Sequence, residues 1–201
     1  MAAAPADRRG AAVSVALLGT SADPPSCGHQ ALLEGLLKHF PRVATWASDN
    51  PSKRHGAPLE QRAALLDVLV QAIGNPRLEL VQDLSSPWAI TTLRRAARRW
   101  PREELVFVVG SDLAGQIPGW KEAEAVLRSC RLAIVPRSGW PLPPEAVNQL
   151  RQLGARVQTL PLEIPATASS TIRQRPRADQ VPAAVWPVLL EHNLYGLATR
   201  P

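Results

Sequence analysis

Short apolar runs alternate with amphipathic stretches along this chain. The first run, Ala11–Leu18 (AAVSVALL), predicts a buried strand. It ends in Gly19-Thr20-Ser21-Ala22-Asp23-Pro24-Pro25, a loop by composition. From Gly28 to Phe40 the leucines recur at helical spacing, with Leu32, Leu33, Leu36 and Leu37 on one face. Val43–Ala47 reads as a second strand, Asp49 to Pro58 as a polar loop, and Pro58 to Ile73 as a helix with Leu59, Leu65, Leu66 and Leu69 inward. Leu78–Val81 predicts a third strand and Trp88 to Trp100 an arginine-rich helix. Leu105–Val109 (LVFVV) is near-continuously apolar, as a central parallel strand is. A helix over Pro118 to Arg128, a strand at Leu132–Val135, a helix over Pro144 to Leu153 and a strand at Ala155–Leu160 follow. Ser169 to Gln174 starts a helix, and Pro182 to Asn193 closes the chain as another, with Val185, Val188 and Leu189 inward.

Strands separated by helical segments of roughly 10–15 residues predict βαβ units and a parallel sheet. The expected fold class is α/β: one Rossmann-like parallel sheet with helices on both faces. No repeat or linker divides the chain. Residues 11–201 read as one domain, behind a frayed Ala- and Arg-bearing tail at 1–10 that lacks the apolar stretch of a signal peptide. Ligands of such sheets bind beyond the carboxyl ends of the strands. The informative loops are therefore 19–29, 47–56, 83–92, 110–120, 136–141 and 161–173.

Composition narrows the class. The 201 residues are 45% hydrophobic and 20% charged, which fits a globular chain rather than a disordered one. No run of about 18 apolar residues appears, so no membrane span is expected. Cys27 and Cys130 have neither zinc-ligand spacing nor a disulfide framework, and fit a reducing, cytoplasmic setting. The net charge of +6 suits polyanionic partners, nucleotides or nucleic acid. A GC-rich genome that writes arginine for lysine produces the same balance, so charge alone selects no function.

The loop from the first strand to the first helix is the most telling. It carries no GxxxxGK[ST] and no GxGxxG. It places the Ser26 hydroxyl and the His29 imidazole, three residues apart, at a helix start whose free N–H groups attract anions. The structural alternative is an N-cap serine beside a surface histidine. Thr167-Ala168-Ser169-Ser170-Thr171-Ile172-Arg173 clusters hydroxyls at another helix start with an arginine one turn on, a phosphate cradle or a plain cap. In Gly110-Ser111-Asp112 an acid just past the central strand can hold a ribose or a base, or cap a helix.

Taken together, these segments resemble one family. GTSADPPSCGH is similar to the (H/T)xGH signature of the nucleotidyltransferase α/β-phosphodiesterase superfamily, and ASSTIR to its ISSTxIR motif. Asp49-Asn50-Pro51-Ser52-Lys53 resembles an nPPHK loop, Trp88 to Leu93 a YTIDTL segment, Gly110-Ser111-Asp112 with Trp120 a GxD…W pattern. Val135-Pro136-Arg137-Ser138-Gly139 resembles VxRxG, and Val181 through Tyr195 a vP..V…n.LY tail. All occur in the order seen in the bacterial nicotinate (or nicotinamide) mononucleotide adenylyltransferases, between residues 13 and 196. The chain departs from that pattern in several places. Ser26 stands for the usual His or Thr, the first loop is one residue longer, and Ala89 stands for Thr. Ala168 and Ser170 replace Ser and Thr of the second motif, and Ser52 replaces the PPHK histidine.

The resemblance implies transfer of AMP from ATP to a pyridine mononucleotide, with His29 and Ser26 as catalytic residues on the ATP phosphates. It implies that Gly19, Thr20, Ser21, Gly110, Asp112, Ser169, Ser170 and Arg173 hold ATP. Lys53, Thr92, Trp120 and Arg137 would hold the mononucleotide, Trp120 by stacking. Mg²⁺ would arrive with ATP rather than on protein ligands. His39, His55 and His192 read as surface or capping histidines, and Trp46, Trp100 and Trp186 as packing residues; Trp88 and Trp140 fit either role. The alternatives are an adenylyltransferase with another phosphate acceptor, such as phosphopantetheine, and a non-catalytic nucleotide sensor or nucleic-acid binder. The last rests on the run Arg94, Arg95, Arg98 and Arg99. No helix-turn-helix, zinc module or aromatic-interleaved RNA motif supports it. A homo-oligomer is left open.

Overall fold

Six parallel strands form the sheet: β1 (Ser14–Thr20), β2 (Arg42–Ala47), β3 (Leu78–Leu80), β4 (Glu104–Gly110), β5 (Arg131–Val135) and β6 (Arg156–Thr159). The computed structural model describes residues 13–51 and 53–197, so the 1–10 tail and Ser52 of the PPHK-like loop lie outside the described residues. The strand order is β3-β2-β1-β4-β5-β6. Winding reverses between β1 and β4, which leaves a crevice at their carboxyl ends.

The alternation of side chains assigns each strand residue to a face. Ala16 and Leu18 of β1, Val43 of β2, Val106 and Val108 of β4, and Ala133 and Val135 of β5 pack on one side. There they meet α1 (Cys27–His39), α2 (Leu59–Ile73), α7 (Ser169–Gln174) and α8 (Val185–Glu191). Val15 and Leu17, Ala44 and Trp46, Leu105 and Phe107, and Leu132 and Ile134 point to the other side. That face is covered by α3 (Ala89–Arg99), α5 (Ala123–Ser129) and α6 (Pro144–Gln152); a single turn, α4 (Ser111–Ala114), follows β4 directly.

Two expectations change. The helix expected over 118–128 is broken: a 3-10 turn at Ile117–Gly119 precedes α5, and Glu122 between them has a left-handed φ of 55°. Trp120 is the cause. Its backbone is extended and its indole lies edge-on to Phe107 at 6.2 Å, so the helix restarts only after the ring is tucked under the sheet. β1 also begins at Ser14 and runs on through Gly19 and Thr20, because those residues still pair with Trp46 and Ala47 of β2.

Candidate active site

A cleft of about 640 Å³ opens where the winding reverses. Its walls come from the loops after β1, β2, β4 and β5 and from residues 164–173. Six loops were expected to matter. The loop at 83–92 does not reach the cleft, because it follows β3, two strands from the switch point. It is tied down instead: Gln82 Nε2 and Ser85 Oγ both donate to the Ala47 carbonyl at 2.9 Å.

Ser26 caps α1 with extended backbone, and His29 sits one turn on, partly buried in the cleft wall. The Ser26 N–H donates to His29 Nδ1 at 3.0 Å, and Ser26 Oγ stands 2.8 Å from the same nitrogen. A backbone N–H can only donate, so Nδ1 is the acceptor and the ring proton of the neutral imidazole is on Nε2. Burial, with Arg137 and Lys53 nearby, pulls the His29 pKa down to about 4, so the ring is neutral near pH 7. Ser26 is fully buried, and its one hydroxyl hydrogen lies within reach of both His29 Nδ1 and the Thr167 carbonyl, the latter at 3.0 Å. The structure therefore turns Ser26 toward His29 and Thr167, where a phosphate contact was expected. Thr167 Oγ1 in turn accepts the Gly28 N–H at 2.8 Å. Gly28 is needed for that approach, since a Cβ there would stand 2.8 Å from Thr167 Oγ1.

Two buried charges that sequence reasoning passed over organise the rest of this wall. Asp23, 1% exposed, accepts the N–H groups of Gly56 (2.7 Å) and Ala57 (3.1 Å) and the Tyr195 hydroxyl (2.9 Å). Arg173 Nη1 lies 3.1 Å from its carboxylate. Arg62, also 1% exposed, donates to the carbonyls of Ala57 (3.2 Å), Ser21 (2.7 Å) and Ser48 (3.0 Å). It thereby clamps the loop after β1 to the loop after β2. His55 was expected at the surface or in a cap. It lines the cleft instead, its side chain 15% exposed and Nδ1 3.6 Å from Asp23 Oδ2. Burial and the Arg62 charge pull its pKa down.

On the β4 side, Asp112 Oδ2 pairs with Arg137 Nη1 at 2.9 Å, while Oδ1 makes no hydrogen bond. Gly110 leaves room for that pair, since a Cβ would meet both side chains. Ser111 Oγ donates to the Trp140 carbonyl at 2.6 Å and accepts the Arg137 N–H at 3.0 Å, which pins the 137–140 turn. Trp140 lines the cleft and is exposed.

The cleft thus gathers Thr20, Ser21, Ser26, His29, Lys53, Gly110, Asp112, Arg137, Ser169, Ser170 and Arg173. It does not gather Gly19, Thr92 or Trp120. Gly19 lies on the sheet face of Trp46, and a Cβ there would stand 2.8 Å from the indole, so its bareness serves packing. Thr92 is buried and donates to the Leu84 carbonyl at 2.9 Å. Trp120 packs on Phe107 under the sheet. Ser169 Oγ donates to the Pro24 carbonyl at 2.8 Å, and Ser170 is exposed at the start of α7. Asp23 and Arg62 escaped notice because their hydrogen-bond partners are 33 to 172 and 5 to 41 residues away in sequence; Thr167, expected in a phosphate cradle, instead ties down the start of α1 from 139 to 141 residues away. The one local hint was an acid beside two prolines in an otherwise neutral loop.

What the cleft offers is a set of hydrogen-bond donors and cations around a helix N-terminus: His29 Nε2–H, the Ser170 hydroxyl, Lys53, Arg137 and Arg173. Such a set suits a polyphosphate and the charge that builds on it during transfer. Among the described residues no group of three or more His, Cys, Asp or Glu side chains could hold a metal ion, and no helix is long and apolar enough to cross a membrane.

The profile of the cytidylyltransferase-like family matches residues 17–175. A Synechocystis protein named "probable nicotinate-nucleotide adenylyltransferase" is 35% identical over 91% of this chain and 99% of its own length. A Symbiobacterium thermophilum protein of the same name is 33% identical over 90% of this chain and 94% of its own. The fold is also that of the Plasmodium falciparum nicotinic acid mononucleotide adenylyltransferase solved with NaAD, with a TM-score of 0.76 at 15% identity over 94% of this chain and 100% of that one. On the family profile and these relatives, the chain belongs to the cytidylyltransferase-like family and, within it, to the nicotinate-nucleotide adenylyltransferases.

Proposed function

We propose that this protein transfers the adenylyl group of ATP to the 5′-phosphate of nicotinate mononucleotide, releasing pyrophosphate and forming the dinucleotide. The observation that carries the reading is the cleft at the switch point, with a neutral His29 presenting Nε2–H beside the α1 N-terminus. The names of the relatives support the pyridine mononucleotide as acceptor.

The chemistry needs positioning rather than a protein nucleophile. The mononucleotide phosphate attacks the α-phosphorus in line, a new P–O bond forms, and the bond to the leaving pyrophosphate breaks. His29 donates from Nε2 to the α-phosphoryl oxygen as negative charge grows there. Ser26 holds that ring through Nδ1 and is a positioning residue. Thr20, Ser21, Ser169, Ser170 and Arg173 face the triphosphate, and Gly110 and Asp112 the adenosine. Lys53 and Arg137 bring positive charge to the mononucleotide. Gly19, Thr92 and Trp120 pack outside the cleft, against Trp46, the Leu84 carbonyl and Phe107. Mg²⁺ would come in on the ATP phosphates and neutralise charge on the leaving group. Both cysteines are free thiols, in keeping with the cytoplasm.

The test is pyrophosphate release from ATP with nicotinate mononucleotide, nicotinamide mononucleotide and phosphopantetheine offered side by side. Turnover with nicotinate mononucleotide well above the other two is expected. Turnover only with phosphopantetheine, or none with any acceptor, defeats the reading.

A further inference from the structure

We propose that Asp23 is a positioning residue of the triphosphate site, and that Tyr195 locks it in place from the far end of the chain. The inference rests on the reading of Arg173 as a phosphate ligand. The Asp23 carboxylate gathers donors from three separate segments. Gly56 and Ala57 come from the loop that carries Lys53, Arg173 from α7, and Tyr195 from the turn after α8.

The backbone around Tyr195 adopts an uncommon conformation to make this contact. Tyr195 has φ 60° and Asn193 φ 45°, left-handed conformations that disfavour residues with a Cβ. That backbone swings the phenol across Gly56. A Cβ on Gly56 would stand 2.7 Å from Arg173 Cδ and 3.1 Å from Tyr195 Cε1, so ring, arginine stem and loop stack only because residue 56 is glycine. Burial and the Asp23 charge push the phenol's pKa up, so it remains a donor at neutral pH.

The electrostatics follow from the donor count. Two N–H groups and the phenol spread the Asp23 charge, and Arg173 Nη1 donates to the Asp23 backbone carbonyl at 2.5 Å while standing 3.1 Å from its carboxylate. The guanidinium is anchored at one corner and has other N–H donors to offer a phosphate. Without the phenol, Asp23 holds more uncompensated charge and draws the guanidinium away from the cleft. Tyr195 thus acts on ATP through Asp23 and Arg173, with no contact to ATP itself.

The test is calorimetric titration of a non-hydrolysable ATP analogue into wild type, Tyr195→Phe, Arg173→Met and the double variant, with melting temperatures alongside. Tyr195→Phe keeps the ring and so the packing over Gly56. It should weaken binding about tenfold, should lower the melting temperature because a buried carboxylate loses a donor, and should weaken binding no further in the Arg173→Met background. Wild-type affinity in Tyr195→Phe overturns the proposal, as does an equal loss with and without Arg173, which marks a merely structural role. The titration needs no acceptor, so it is decided whether or not pyrophosphate release succeeds.

Discussion

The state of His29 is set by its surroundings as much as by the side chain itself. The Ser26 N–H fixes its tautomer, and burial with two nearby cations fixes its charge. His29→Ala should therefore lower kcat by about 100-fold or more with a native melting profile, because a donor aimed at developing charge is lost. Ser26→Ala should cost less, since the backbone donor to Nδ1 remains. The same pKa also makes a stability prediction. Unfolded, the imidazole titrates near about 6.5; folded, it titrates at about 4. Between those values the unfolded chain binds a proton that the folded chain refuses, so stability rises with pH through that window and is lost on acidification. The melting temperature should fall between pH 7 and pH 4.5, and fall less in His29→Asn. His55, shifted the same way, accounts for part of what remains. His29 and the α7 hydroxyls were legible in the sequence because each motif is local. Asp23 and Arg62 were not, since a buried charge is recognised only by partners that folding brings to it.

At the scale of elements, two close approaches hold the site. The first is α1 against the 160s segment, where Gly28 lets Thr167 reach the helix N-terminus. Gly28→Ala should destabilise by about 1–3 kcal/mol. It should also reduce kcat, because displacing Thr167 disturbs Ser26 and with it His29; kcat and the melting temperature of one variant check both. The second is the aromatic row under the sheet, in which Phe107 meets Trp46 at 6.5 Å and Trp120 at 6.2 Å. Trp120→Ala should lower stability by about 2–4 kcal/mol and leave both KM values near wild type. A selective rise in the mononucleotide KM would restore Trp120 to the acceptor site, where the sequence pattern had put it. Helix and strand positions were readable from periodicity nearly throughout. The break at Trp120 was not, because a packed ring rather than a weak local propensity interrupts the helix there.

For the whole molecule, the switch between β1 and β4 decides which loops meet, and no local pattern reveals that order. It brings residues 20–29 together with 110–113, 135–140 and 164–173, and leaves 83–92 outside. Three of the four exposed arginines in the α3 run meet neighbours. Arg94 pairs with Glu122 at 2.7 Å, Arg99 with Glu79 at 3.0 Å, and Arg95 donates to the carbonyls of Asp83 and Ser85. That engagement weakens the nucleic-acid alternative and leaves the positive charge of the cleft as the feature tuned to a ligand. The most direct test follows the label of [α-³²P]ATP incubated with nicotinate mononucleotide. The label should pass into the dinucleotide in step with pyrophosphate release, leave no labelled protein, and move about 100-fold or more slower in His29→Ala. Label on the protein, or ATP that stays intact in the presence of the mononucleotide, would contradict direct adenylyl transfer in this cleft.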